Sequence, residues 1–491
     1  MIESGIIAML APVVLSVAAL VIMMQIAFWR HATLSWALTC LSLLAALIAV
    51  VPMSSHLQSV TPILVTDQYS VFFSALILFA ALITALLAKD YLAHRSGENE
   101  EFYLLLILAT LGGLVLVSST HLASFLLGLE LLGVALYALI AYPERGHLPL
   151  EAAIKYLVLS GAASAILLFG FALIYAALGT LSFVEIGEQL AHLDLGDSRG
   201  LILIGTAMVF TGIGFKLSLV PFHMWTPDVY QGAPAPVSGF LATVSKGAIF
   251  AALMRLYIDA ELYQYTNLLI GISVIAIASM LVGNWLALLQ NNLKRLLAYS
   301  SIAHLGYLLI TLVVYSSLQQ PEFAIEAASF YLTAYIVTSL AAFTLISIIS
   351  DNVGIAESAD QGDLDNIEHL KGLFWRQPLL ALLLTIAMLS LAGIPLTVGF
   401  IGKFYIFSVG ISGALWVLLG ALVVGSGIGI YYYLRVVFSM TMKPDNVDAH
   451  SANPTHFSLV AKFVVGILIF MMIYLGVLPQ ALMVYLSGIT I

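Results

Sequence analysis

Six ionisable residues fall inside or beside stretches apolar enough to cross a membrane: Glu130, Lys216, His223, Lys246, His304 and Lys403. A charge at mid-bilayer costs about 2.5–3.5 kcal/mol on insertion scales, so a chain that accepts several marks a pathway with them. A lysine and a carboxylate buried together can load or release a proton as the distance between them changes. Glu130 and Lys216 are candidates for such a pair, Lys246 for a central relay and Lys403 for the terminal group. His223 and His304 are further candidates for the same relay. Groups this close titrate as a coupled set. Each also has a bland reading: a buried Lys–Glu pair can be a structural salt bridge, and a lone histidine a satisfied core group.

The elements that carry these residues are membrane spans. Of 491 residues, 62% are hydrophobic and 9% charged, against about 25% charged in soluble domains. The fold class is therefore an all-α polytopic membrane protein. A window of about 20 apolar residues gives about 14 transmembrane helices, near 5–28, 33–52, 68–88, 102–118, 121–142, 151–177, 201–223, 234–258, 263–288, 293–316, 322–349, 375–409, 412–440 and 457–487. The first run is too long for a signal peptide and is read as a retained span. Two spans are broken. Pro221 interrupts the seventh, five residues after Lys216, and GIP at 393–395 interrupts the twelfth, ahead of Lys403. Pro cannot continue a helix, and broken backbone at membrane depth persists only against protein or a wet cavity. Discontinuous helices in corresponding halves point to an ion site between inverted repeats. The pair LSLVP (217–221) and LSLAGIP (389–395) is a faint match five spans apart. It suggests a three-helix segment at 1–101, five-helix repeats at 102–258 and 259–440, and a last helix at 441–491. Helical spacing adds polar stripes: Gly239, Thr243 and Lys246 on one face, Ser300, His304 and Tyr307 on another.

The remaining charges set orientation. Of 17 basic residues, 12 follow odd-numbered spans, only Arg199 and Arg255 follow even-numbered ones, and Lys216, Lys246 and Lys403 lie inside spans. The positive-inside rule then puts both termini outside. Lys155, Lys294, Arg295 and Arg435 read as interfacial anchors, and KDYLAHRSGENEE (89–101) as a solvated face. The net charge of −9 argues against nucleic acid, and the single cysteine, Cys40, excludes a disulfide within the chain and an iron–sulfur cluster. There is no phosphate-binding loop and no Cys/His cluster with metal spacing; GSGIGI (425–430) sits in a helix.

The stretch GFKLSLVPFHMWTPDVYQGAPAPVSGFLATVSKGAIF (214–250) closely resembles the subunit N family of bacterial NADH:quinone oxidoreductase, respiratory complex I. FYLLLILATLGGLVLVSSTHLASFLLGLELL (102–132), NLKRLLAYSSIAHLGYLL (292–309) and LSLAGIPLTVGFIGKFY (389–405) extend the resemblance over nearly the whole chain. It implies two face-to-back inverted five-helix repeats, broken seventh and twelfth spans, and one proton channel. The family's acidic residue of the fifth span matches Glu130, and its lysines of the seventh and eighth match Lys216 and Lys246. Its charged residue of the twelfth matches Lys403, a lysine here and a glutamate in subunit M. The resemblance further implies no cofactor in this chain, with NADH, FMN, iron–sulfur clusters and quinone handled by other subunits. The implied partners are subunit M, small membrane subunits, the lateral helix of subunit L and the lipid bilayer. The implied location is the bacterial cytoplasmic (inner) membrane. The chain ends soon after its last span, with no room for a lateral helix of its own. Two other readings compete: a sodium/proton antiporter subunit, which PDVYQGAPAPVS disfavours, and a membrane scaffold with inert ion pairs.

Overall fold

The computed structural model describes residues 2–93, 98–142, 147–192, 199–318, 321–353, 363, 365–443 and 458–489. Arg95, Arg145 and most of the acidic stretch 350–366 lie outside the described residues. Among those described, 13 helices are long and apolar enough to cross a membrane. A fourteenth span is built from two shorter apolar helices, Pro378–Ala392 and Val398–Ser412. A two-stranded antiparallel ribbon, Gln58–Thr61 with Leu64–Thr66, joins spans 2 and 3; the sequence reading did not anticipate it.

Burial divides the bundle. The apolar cores of spans 8 (Ala235–Asp259), 10 (Leu293–Ser317) and 11 (Glu322–Ser350) are wholly enclosed, whereas those of span 1 (Leu10–Phe28) and span 9 (Thr266–Leu288) keep most of their residues outward. Enclosed spans cannot present charge to lipid, so the lysine and histidine on them face other helices. Small residues bring the backbones together. Span 4 (Glu100–Val117) and span 5 (Leu122–Ile140) touch at Gly112, where a Cβ would lie 2.6 Å from Leu132 N.

Both breaks are present. Span 7 runs as Arg199–Lys216, irregular backbone through Met224, then a short helix Trp225–Gly232. It extends beyond the expected 223 because Pro221 interrupts the helix without ending the span. The irregular stretch holds Ser218 at φ 62° and a cis Val220–Pro221 bond. In span 12, Gly393 at φ 82° ends the first half. The second half then packs so closely that a Cβ on Gly399 would stand 1.9 Å from Ser390 O. Span 8 carries a π-helical turn, Leu241–Ser245, immediately before Lys246, a local distortion common at functional sites.

Two isolated bridges have the same form. His121, which N-caps span 5, pairs with Ser182 after span 6; Asn292, which N-caps span 10, pairs with Asn366 after span 11. In each case the first helical N–H donates across, Leu122 to Leu181 O at 2.8 Å and Leu293 to Asp365 O at 2.6 Å. The helices that these bridges follow, His147–Leu178 of span 6 and Glu322–Val353, which carries span 11, are both 32 residues long.

Candidate functional site

The intramembrane charges form three centres. In the first, Lys216 ends the first half of span 7, where the helix dipole favours a cation. Its Nζ donates to Ser160 Oγ at 2.6 Å, and Tyr137 OH donates to the same oxygen at 2.8 Å. Glu130 Oε1 lies 3.9 Å from that Nζ, too far for a direct hydrogen bond, and accepts from Ser164 Oγ at 2.5 Å. Lys216 is buried at 3% exposure, while the Glu130 side chain is 35% exposed. The carboxylate is thus held by a hydroxyl and is only partly enclosed.

Lys246 forms the second centre, 1% exposed. Its Nζ donates to Ser301 Oγ at 2.7 Å, which also accepts from Tyr335 OH at 2.7 Å. The same ammonium lies 5.4 Å from the Tyr230 ring centroid, within cation–π range. Among the described residues, no carboxylate lies within ion-pair distance of Lys246 or Lys403. A hydroxyl and a ring face hold the central charge.

From Lys246 the polar contacts continue. Tyr335 packs on His304 at 5.3 Å between ring centroids. His304 Nδ1 meets Tyr331 OH at 2.7 Å, and its Nε2 lies 3.4 Å from Tyr433 OH. Ser300 also bonds Tyr433 OH, so two of the three residues of the stripe expected from helical spacing meet at one hydroxyl, while Tyr307 OH accepts from Asn284 Nδ2 at 2.8 Å. Tyr307 stacks edge-on to His304 at 5.7 Å and carries Lys403 Nζ at 5.8 Å. Lys403 donates to Leu391 O at 3.0 Å and Ala392 O at 2.9 Å. It therefore neutralises the open carbonyls of a broken helix, the third centre. A cavity of about 10 Å³ between His304, Tyr331, Ser390 and Leu391 is near the size of one water.

The structure thus brings Glu130 to Lys216, and links Lys246, His304 and Lys403 through tyrosines and a serine. His223 is buried in the break but hydrogen-bonds to none of the other five. Sequence reasoning missed Ser160, Ser164, Ser301, Tyr331, Tyr335 and Tyr433, the neutral groups that hold the charges. Only the spacing of Ser300, His304 and Tyr307 pointed toward them.

The expected anchors are not free at the interface. Lys294 is paired with Asp363 at 2.8 Å, both side chains 1% exposed, and donates to Ala233 O. Arg295 pairs with Asp228 at 2.7 Å, and Lys155 pairs with the same aspartate at 2.8 Å. Arg435 donates to the carbonyls of Leu288 and Gln290. Each has a partner distant in sequence, which a hydropathy reading cannot supply. The 89–101 stretch is only partly a solvated face: Glu100 is buried, and Arg30 bridges Glu98 and Glu101.

Residues 119–429 match the family described as NADH:quinone oxidoreductase/Mrp antiporter, TM. The chain is 48% identical over 483 residues to NADH-quinone oxidoreductase subunit N of Methylococcus capsulatus, covering 97% of this chain and 93% of that one. A chain of respiratory complex I from Thermus thermophilus, solved with bound aureothin, superimposes with a TM-score of 0.79 at 32% identity, covering 97% and 100%. A chain of the Mrp complex from Dietzia sp. shares the fold, with a TM-score of 0.83 at 21% identity over 99% and 97%.

Proposed function

Because this chain belongs to the NADH:quinone oxidoreductase/Mrp antiporter membrane family, we infer that it is a proton-translocating membrane-arm subunit of an NADH:quinone oxidoreductase. Electron transfer from NADH to quinone happens elsewhere in the complex, and this chain moves protons. The observation that carries the reading is the set of three intramembrane lysines at two helix breaks and a π-turn, Lys216 and Lys246 buried and Lys403 partly buried, each ammonium donating to a neutral oxygen.

In this reading Glu130 and Lys216 form the loading pair. Ser164 holds Glu130 away, and its approach to Lys216 through Ser160 favours the charged lysine. Lys246 relays through Ser301 and Tyr335 toward His304, and Lys403 is the last station. His223 is a further proton-handling candidate, in the break beside Lys216. The twin bridges His121–Ser182 and Asn292–Asn366 support two five-helix repeats at 102–258 and 259–440, flanked by 1–101 and 441–491. Lys155 and Arg295 share Asp228, Arg295 and Arg435 both bond Gln290, and Lys294 adjoins Arg295 in sequence, so the four gather at one end of the bundle. That gathering supports a cytoplasmic face there and both termini outside, in the inner membrane of a bacterium.

The partners proposed are subunit M against one side, small membrane subunits against the other, and the lateral helix of subunit L alongside. The redox cofactors belong to other subunits. A sodium/proton antiporter is the competing reading. Deleting the chain from its native cell decides between them. Loss of NADH:quinone activity and NADH-driven acidification, with sodium/proton exchange intact, is expected. The reverse pattern would overturn the proposal.

A further inference from the structure

At the end of the bundle where Lys155, Lys294 and Arg295 gather, a cavity of about 230 Å³ is walled by Glu151, Lys155, Asp228, Gln231 and Arg295. At about 30 Å³ per molecule it has room for several waters. Asp228 stands in its wall between two cations, Lys155 Nζ at 2.8 Å and Arg295 Nη1 at 2.7 Å. Glu151 binds Lys155 at 2.7 Å, and Gln231 accepts from Arg295 at 3.0 Å. The four ionised groups sum to zero charge, so the cavity neither repels nor traps a cation as a whole.

Asp228 lies on the short helix Trp225–Gly232, the second half of broken span 7. Two residues on, Tyr230 presents its ring to Lys246. Three residues back, Trp225 packs at a tilt on Tyr156, 4.7 Å between centroids, and Tyr156 neighbours Lys155 in sequence. Lys294, beside Arg295, holds Ala233 O at the end of the same short helix. The Asp228 bridge therefore ties span 6 and span 10 to an element that touches both Phe215, next to Lys216, and Lys246.

We propose that this cavity is the water-filled mouth through which protons reach Lys246, and that the Lys155–Asp228–Arg295 bridge is its gate. The proposal rests on the proton-translocating reading. With Asp228 holding both cations, the short helix is clamped and Tyr230 lies against the Lys246 ammonium. Release of either cation frees the helix to move, and Tyr230 with it. Each uptake turns one hydronium in the mouth into water and the free amine of Lys246 into ammonium.

The test is a reversible plug. Glu151→Cys in the assembled complex is treated, in inside-out vesicles, with a cationic, membrane-impermeant methanethiosulfonate. Leu150→Cys, on the exposed neighbouring residue outside the cavity, is the control, and the unsubstituted chain controls for Cys40. Relative to the same membranes before labelling, E151C should lose NADH:quinone turnover and acidification by about fivefold or more, because a proton pathway needs its water. Dithiothreitol should restore both, and labelled L150C should be unaffected. Gln231→Cys, from another wall, serves if E151C does not assemble. A labelled cysteine with full activity overturns the mouth, as does a thiol in the cavity wall that an aqueous reagent cannot reach. If Lys246→Ala stops pumping while labelled E151C keeps pumping, the relay stands and the mouth alone falls.

Discussion

Ser301 offers the sharpest test of how the central charge is held. Its Oγ is the acceptor for both Lys246 Nζ and Tyr335 OH, at 2.7 Å each, and the residue is 1% exposed. Ser301→Ala removes that oxygen, and burial keeps bulk water from replacing it. A hydrogen bond to a charged group contributes about 1.5–3 kcal/mol. If the relay through Lys246 limits turnover, that loss slows it by about 10- to 150-fold. Ser301→Thr keeps the oxygen and should stay within about threefold of the parent. In a Tyr335→Phe background the alanine change should cost less than in the parent, because the two donors share one acceptor. The assay is NADH:quinone activity and NADH-driven acidification of inside-out vesicles, with assembly checked on a native gel. An assembled Ser301→Ala complex within about twofold of the parent in both activities would refute the reasoning.

Two further outcomes follow from the geometry. Glu130→Gln keeps the shape and a contact for Ser164 but removes the charge 3.9 Å from Lys216. Pumping in vesicles should fall by about tenfold or more with assembly intact, as for a general acid–base group. Asp67, outside the spans, makes a bidentate pair with buried Arg255 at 2.6 and 2.8 Å. Burial would raise its carboxyl, but Arg255 and the Ser70 N–H outweigh burial and hold it below the usual range. A depressed folded value contributes stability that is full above the ordinary carboxyl value of about 3.9 and lost as pH falls through the folded value. Thermal unfolding of the purified complex should show that acid loss in the parent. Asp67→Asn should lack it and be destabilised at neutral pH by about 3–5 kcal/mol, the cost of leaving a buried charge unpaired.

Hydropathy and proline placement made the spans and both breaks legible. The intramembrane lysines stood out because charge is rare there, and the stripe Ser300, His304, Tyr307 followed from helical period alone. What the sequence hid depends on tertiary contact. Ser160 and Ser301 are ordinary serines until a lysine from another span donates to them. The π-turn before Lys246 leaves no residue signature in LATVS (241–245). Lys294 looks like an interfacial lysine, and its partner Asp363 lies 69 positions away. The ribbon at 58–66 was overlooked because LQSVTPILVT lies in a linker between spans.

The most direct measurement is Lys246→Ala in the native complex, with NADH:quinone turnover, acidification and assembly read from the same membranes. A complex that assembles and loses both activities is the predicted result. Normal acidification from an assembled complex lacking that ammonium would contradict the central claim that protons pass through the buried lysines.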